Sequence, residues 1–484
     1  MNNLGSGVLL PIFSIPSKYG IGSFGKDAYK FIDFLADCGV KYYQVLPLGE
    51  VTFGNSPYSS ISNYAGGMLY IDLDELVKMN LLFTEEVNEQ VHNTKKIDYE
   101  WLKINRPLIL KKAYHRFEKS EMNEFILKND WLTPYAIYMV LKDRFDGKEW
   151  TKWEKYKDYK AIDVSSFVKE NEDEIYFYYF IQYIFFKQWN SLKKYANDKG
   201  IKIIGDVPIY SSFDSVDVWS NIGLYKINDD FVMDVVSGCP PDGFSKVGQV
   251  WNNPIYNYEL MRKDGYSSLI NKFRHVLKMF DMVRLDHFRG YEAYYEIPNG
   301  EVNGLNGEWK KGPDKELFDI MNKEFGKNCF IAEDLGFLTK EVEELLSFSN
   351  YPGMRVLEFG FDGNPNNKYL TKNYPLNSIA YSGTHDNAPL KSWLRDKITY
   401  SYVSKCYETE NVDRIVDLMI NDLMSSKSKI VIIQLQDYMH LGLSSRINTP
   451  GTIGKNWEYR LTESYDKKKL REYIYTKIKQ STRL

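Results

Sequence analysis

Apolar residues along this chain gather into short, nearly unbroken runs separated by stretches with a helical period. The runs are "VLLPIF" (8–13), "YYQVLPL" (42–48), "IKIIGDV" (201–207), "MVRLDH" (282–287), "CFIAEDL" (329–335), "MRVLEFGF" (354–361), "SIAYSGT" (378–384) and "IVIIQLQ" (430–436). Most lack polar alternation, as parallel strands covered on both faces do. In "FGKDAYKFIDFLADCG", Ala28, Phe31, Ile32 and Leu35 recur at i, i+3, i+4 and i+7, and Gly39 suits the end of a helix. Leu269, Phe273, Val276, Leu277 and Phe280 repeat that stripe, and "DKELFDIMNKEFG" and "LTKEVEELLSFS" come after the next two strands.

Eight strands alternating with helices predict an α/β chain folded as a (β/α)8 TIM barrel rather than a doubly wound sheet. The connection between the second and third strands is too long for one crossover. It contains helical "LILKKAYHRFEKSEMNEFIL", "YAIYMVLKDRF" and "YFYYFIQYIFFKQWNSLKKYA". We therefore expect one barrel domain over 1–484, with a mostly helical insert at 51–195 and a second insert at 208–265. The residues after the eighth strand are too few for an all-β domain of usual size.

Composition narrows the partners. The net charge is −3 without a basic block, which argues against nucleic acid or an anionic membrane. Four scattered cysteines (Cys38, Cys239, Cys329, Cys406) argue against zinc and against a disulfide framework, and no run approaches a membrane span. The expectation is a soluble cytoplasmic protein. Aromatics make up 15%, including 38 Tyr, which fits either a Tyr-rich core or stacking against sugar rings.

"MVRLDH" breaks the apolar pattern. Buried strands seldom finish on an unpaired carboxylate, because desolvating an isolated charge costs several kcal/mol. Barrel enzymes place their chemistry where strands end, and here those ends carry Asp206, Asp286, Glu333, Asp386 and Asp437. Carboxylates converging on one rim repel one another, so a functional reason is needed. With Arg284, His287 and His385 beside them, they suit glycosidic-bond chemistry, in which one carboxylate attacks the anomeric carbon and another acts as acid and base. A Mg²⁺ or Ca²⁺ site is the rival use of such a cluster, but no H-E-x-x-H or EF-hand pattern occurs. We expect no metal and no organic cofactor.

"MVRLDHFRG", "FIAEDLG" and "GTHDN" resemble the stretches that mark the 4-α-glucanotransferases called amylomaltases or disproportionating enzymes, glycoside hydrolase family 77. "PSKYGIGSFG", "LPLGEVTFGNSPYSS", "GDVPIY", "GCPPDGFSKVGQVWNNPIY" and "SSRINTPGTIGKNWEYR" extend the likeness in order over about 11–460. The resemblance implies transfer of α-1,4-glucan segments to the 4-hydroxyl of an acceptor, with retention. It implies Asp286 as nucleophile, Glu333 as general acid/base and Asp386 as the third carboxylate. Arg284 and His287 would orient the nucleophile and donor sugar, Asp206 and His385 would contact sugar, and Tyr58 would form a stacking platform. Asp242 and Trp251 would lie on a loop over the cleft, and Asn456 would touch substrate. Two positions depart from the family pattern, both in loops: Asn252 stands where Gly is usual, and Ala65-Gly66-Gly67-Met68 replaces "AGNP".

Three rival readings remain. "GIGSFG" (20–25) satisfies a dinucleotide fingerprint, but "SIPSKY" separates it from the preceding strand. An α-amylase-type hydrolase would carry an Asn-His pair after the third strand, where this chain has "GDVPIY". A barrel kept only for glycan binding would be expected to lose one of the three carboxylates. His275, His440, Trp309 and Trp393 read as packing residues.

Overall fold

The computed structural model describes residues 4–241, 245–336, 338–462 and 464–484. Its strands are β1 (Gly5–Leu9), β2 (Tyr42–Gln44), β3 (Lys202–Val207), β4 (Val235–Cys239), β5 (Gln249–Pro254), β6 (Met282–Leu285), β7 (Ala293–Pro298), β8 (Glu308–Lys311), β9 (Phe330–Ala332), β10 (Gly353–Val356), β11 (Ser378–Tyr381) and β12 (Ile430–Gln434). Eight close a parallel barrel in the order β1-β12-β11-β10-β9-β6-β3-β2. They are the eight apolar runs in chain order, so the predicted TIM barrel is the fold.

The first strand begins earlier than its apolar run. Gly5, Ser6 and Gly7 resemble a breaker in sequence, yet they pair with Ile430, Val431 and Ile432. Small residues are required there, since a Cβ on Gly7 would come within 3.1 Å of Ile432 and Tyr42 side chains. At the other end Pro11 lacks an N–H for the ladder, and Ile12–Ser14 turns into a short 3-10 helix.

The helix Lys26–Asp37 buries Ala28, Phe31, Ile32 and Leu35 as its stripe requires, and Gly39 follows it at φ 77°. "GIGSFG" forms no phosphate cradle. A Cβ on Gly22 would strike the Ile12 carbonyl at 1.9 Å, and one on Gly25 would meet the Asp72 carboxylate at 2.0 Å. The Asp72 carboxylate, which accepts from Ser23 Oγ (2.7 Å), thus fills the space beside Gly25.

Between β2 and β3 lie helices including Tyr99–Tyr114, Leu132–Arg144 and Glu172–Asp198. The first contains Pro107, which reads as a start signal and hides the turns before it. The run expected to continue through 108–127 breaks after Tyr114 and resumes as a short helix, Asn123–Lys128.

One layer has no counterpart in the sequence pattern. β5, β4, β7 and β8 form a four-stranded antiparallel sheet, with Met233, Val236, Tyr295 and Ile297 as its own small core. Among the described residues no helix is long and apolar enough to cross a membrane.

Candidate active site

β6 delivers the first two groups. Its residues are all buried, and strand alternation turns Arg284 and Asp286 to one side and Val283 and Leu285 to the other. Arg284 pairs in register with Asp206 of β3. Its Nη1 donates to Asp206 Oδ1 (3.0 Å) and Oδ2 (2.9 Å) and to Asp286 Oδ1 (2.8 Å), while Nη2 lies 3.9 Å from Glu333 Oε2. Burial opposes the guanidinium charge, but Asp206 and Asp286 outweigh it and hold the pKa well above its ordinary value. One cation therefore anchors two carboxylates and stands close to a third carboxyl group.

Glu333 follows β9 and accepts from the His287 N–H (2.8 Å) and the Leu335 N–H (2.9 Å). Burial pushes its pKa up to about 8, against the pull of Arg284 and with the help of Asp286. Near neutrality this carboxyl keeps its proton, as a general acid must. His287 holds its turn at φ 48°, and Trp251 packs edge-on to its ring at 4.9 Å. Burial brings the imidazole pKa down to about 4, so it is neutral.

The opposite wall comes from the end of β11, the first insert and the segment after β12. Asp386 Oδ1 accepts from Asn448 Nδ2 (2.6 Å), and Oδ2 lies 3.2 Å from His385 Nε2. Burial raises the Asp386 pKa, but the electrostatic pull and hydrogen bond of His385, with Asn448, reverse the effect and leave it at about 2. The Tyr58 ring stacks on His385 at 5.0 Å, and its hydroxyl donates to Asp206 Oδ2 (2.8 Å). Asp286, Arg284, Asp206, Tyr58, His385 and Asp386 thereby form one connected polar circuit.

These groups open onto a cleft of about 730 Å³, at the strand ends where a barrel carries its site. Tyr58, Trp251, Arg284, Asp286, His287, Glu333, His385 and Asp386 line it. Asp206 sits behind Arg284, only 2% exposed. Asn456 serves its own loop, accepting from the Thr449 N–H (3.1 Å) and donating to the Thr452 carbonyl (2.9 Å); Asn387 and Asn448 line the cleft on this side. Asp242 lies outside the described residues. Asp437, the fifth strand-end carboxylate, is buried away from the cleft, accepting from Ser382 Oγ (2.6 Å) and the Leu390 N–H (2.7 Å). Among the described residues no group of three or more His, Cys, Asp or Glu could hold a metal ion.

The sequence model of the 4-alpha-glucanotransferase family matches residues 10–466. The chain belongs to that family. It is 41% identical over 480 residues to a 4-alpha-glucanotransferase of Aquifex aeolicus, covering 96% of each chain. A second, from Streptococcus pneumoniae, is 41% identical over 472 residues, covering 95% of this chain and 93% of the relative. Among solved structures it is similar to the amylomaltase from Streptococcus agalactiae in complex with acarbose, with a TM-score of 0.95, 33% identity and 99% of both chains covered.

The two departures from the family pattern differ in setting: Asn252 lies within β5 rather than in a loop, and the 65–68 segment runs from loop into the short 3-10 helix Met68–Tyr70. Asn252 adopts φ 59°, a left-handed conformation that Asn tolerates better than any residue but Gly. Gly66 is gripped by Gln182, which accepts from its N–H (2.8 Å) and donates to its carbonyl (2.9 Å). Trp309 and Trp457 also line the cleft, although nothing in their spacing marks them as more than packing. Glu358 is hidden in the sequence because "VLEFGF" looks like a continuous strand; it lies in a 3-10 turn after β10 and accepts from Asn387 Nδ2. Asn387 in turn accepts from the N–H and the hydroxyl of Thr384, each at 2.8 Å.

Proposed function

We propose that this 4-α-glucanotransferase works by double displacement on Asp286. Arg284 holds Asp286 Oδ1, leaving Oδ2 to attack the anomeric carbon of the donor. The C1–O4 bond breaks as the Glu333 proton passes to the leaving oxygen, and a glucosyl ester remains on Asp286. Glu333, now ionised, takes the proton of an acceptor 4-hydroxyl. That oxygen attacks C1, the ester bond breaks, and an α-1,4 linkage re-forms with net retention. Asp386, held low by His385 and Asn448, binds donor hydroxyls as a fixed anion, and Tyr58 supports the donor ring.

The observation that supports this best is the unequal treatment of two carboxyls on one guanidinium. Asp286 is bonded directly to Arg284, whereas Glu333, the more enclosed of the two, reaches only a 3.9 Å contact and is pushed up to about 8. We read the 51–195 and 208–265 segments as inserts on one barrel domain, supplying Tyr58 and Trp251 to the cleft. The scattered cysteines support action in the cytoplasm.

Transfer must outrun water at about 55 M, which an oriented acceptor can do because effective molarities exceed that value. Incubation with maltotriose, followed by chromatography, tests this. Glucose and a ladder of longer maltooligosaccharides should appear with little net gain in reducing ends. Reducing ends released as fast as chain lengths redistribute would make the enzyme a hydrolase.

A further inference from the structure

Trp309 stands on β8, the outer strand of the small sheet, opposite Tyr295 of β7. It is 37% exposed and lines the cleft. Two neighbours fix its ring. The Arg289 guanidinium lies over one face, 3.8 Å from the centroid, and Tyr295 packs edgewise at 5.1 Å. An exposed indole held in this way has already given up its rotamer freedom, so a ligand that stacks on it pays little to order it.

Its place in the cleft is set by chain connections. Arg289 comes two residues after His287, whose N–H binds Glu333, and the Phe288 N–H bonds to the Glu333 carbonyl at 3.0 Å. Leu335, just past Glu333, lines the same cleft. Tyr58 and Trp457 instead pack around His385, beside Asp386. A general acid faces the oxygen that departs, so the wall running from Glu333 to Trp309 borders the leaving and then the accepting chain.

We propose that Trp309, braced by Arg289, is an acceptor-side stacking platform for a glucose unit beyond the one that reacts. The C–H face of a pyranose is apolar and matches an indole face. The platform makes the enzyme select maltooligosaccharide acceptors over free glucose. The inference rests on the transferase reading above.

The test uses the full chain with α-maltotriosyl fluoride as donor and either glucose or maltotriose as acceptor. The quantity read is the ratio of acceptor kcat/KM for maltotriose to that for glucose, from which the fraction of active enzyme cancels. Trp309→Ala should lower this ratio about tenfold, the loss of one stacked contact. Trp309→Leu, which keeps apolar volume against Tyr295 but cannot stack, should do the same, and Trp309→Phe should recover most of it. The control is Trp393→Leu, at a ring that packs on Phe361, and it should leave the ratio alone. An unchanged ratio in both Trp309→Ala and Trp309→Leu would overturn the platform, and so would an equal fall in Trp393→Leu. If the wild-type enzyme released fluoride without acceptor-dependent products, the transferase reading itself would fail, whatever Trp309 does.

Discussion

Two buried arginines sit at opposite ends of this barrel, and they are solved differently. At the strand C-termini Arg284 meets carboxylates, and its charge is held well above the ordinary range. At the strand N-termini Arg483 meets only carbonyls: Met424 (2.8 Å), Ser426 (2.6 Å), Ser428 (2.8 Å) and Gly5 (3.4 Å). Burial lowers its pKa to about 10. Arg483 staples the C-terminal tail across the seam where β1 meets β12, and satisfies backbone acceptors that the barrel leaves open. It is a stability device. Arg284 gathers like charges that would otherwise repel, so its end of the barrel holds reactivity at a cost in stability.

Changing a reacting carboxyl should separate the two ends most sharply. Asp286→Asn and Glu333→Gln should each lower kcat by roughly 10⁴-fold or more, since each removes stabilisation made only in the transition state. Their thermal midpoints should stay within about 3 °C of wild type, because a shape-matched amide loses little packing. Near-wild-type turnover by either pure variant would refute its assigned role.

Exchanging each arginine for methionine sharpens the contrast. Arg284→Met leaves Asp206 and Asp286 without their cation, and breaking a buried pair costs about 3–5 kcal/mol. Both stability and activity should fall. Arg483→Met leaves carbonyls that water can partly reach as the tail frays, so about 2–3 kcal/mol should be lost. Activity per folded molecule should be unchanged, as read by urea titration beside assays below the transition. Equal activity losses in both variants would mean that the seam and the site are coupled.

The same contrast explains what was legible in the sequence. The eight barrel strands announce themselves because parallel strands buried on both faces must be apolar, and a charge that ends such a run stands out, as Asp286 does. β8 is exposed and charged, and β4 and β7, although buried along most of their length, are short and carry Ser, Gly, Glu and Pro that read as loop. Asn448 and Trp457 reach the cleft from a segment without periodicity, and only the folded backbone shows that Asn448 meets Asp386. Arg483 is likewise silent, since a cation near a chain end reads as solvated until its carbonyl partners are placed around it.

The smallest expected effect concerns Glu358, behind the turn that presents His385 and Asp386. Burial pushes its pKa from 4.5 up to about 8, with Asp437 adding to the rise and Asn387 and Arg446 opposing it. Between those two values the folded protein keeps a proton that the unfolded chain has released. The stabilisation is complete below about pH 4.5 and is lost as pH rises toward 8. Glu333 contributes with the same sign, whereas Asp386, lowered from 3.8 to about 2, stabilises above 3.8 and loses that contribution as pH falls through 2. Glu358→Gln mimics the protonated carboxyl in shape, and its amide oxygen can still accept from Asn387. It cannot ionise. Activity at pH 7 should therefore stay within about twofold of wild type, an effect no larger than a slightly altered hydrogen bond. The decline of the thermal midpoint from pH 5 to 8.5 should become shallower, with the remainder carried by the other raised carboxyls, Glu333, Asp217 and Asp437 among them. Identical slopes in the two proteins would show that Glu358 does not carry a proton in this window.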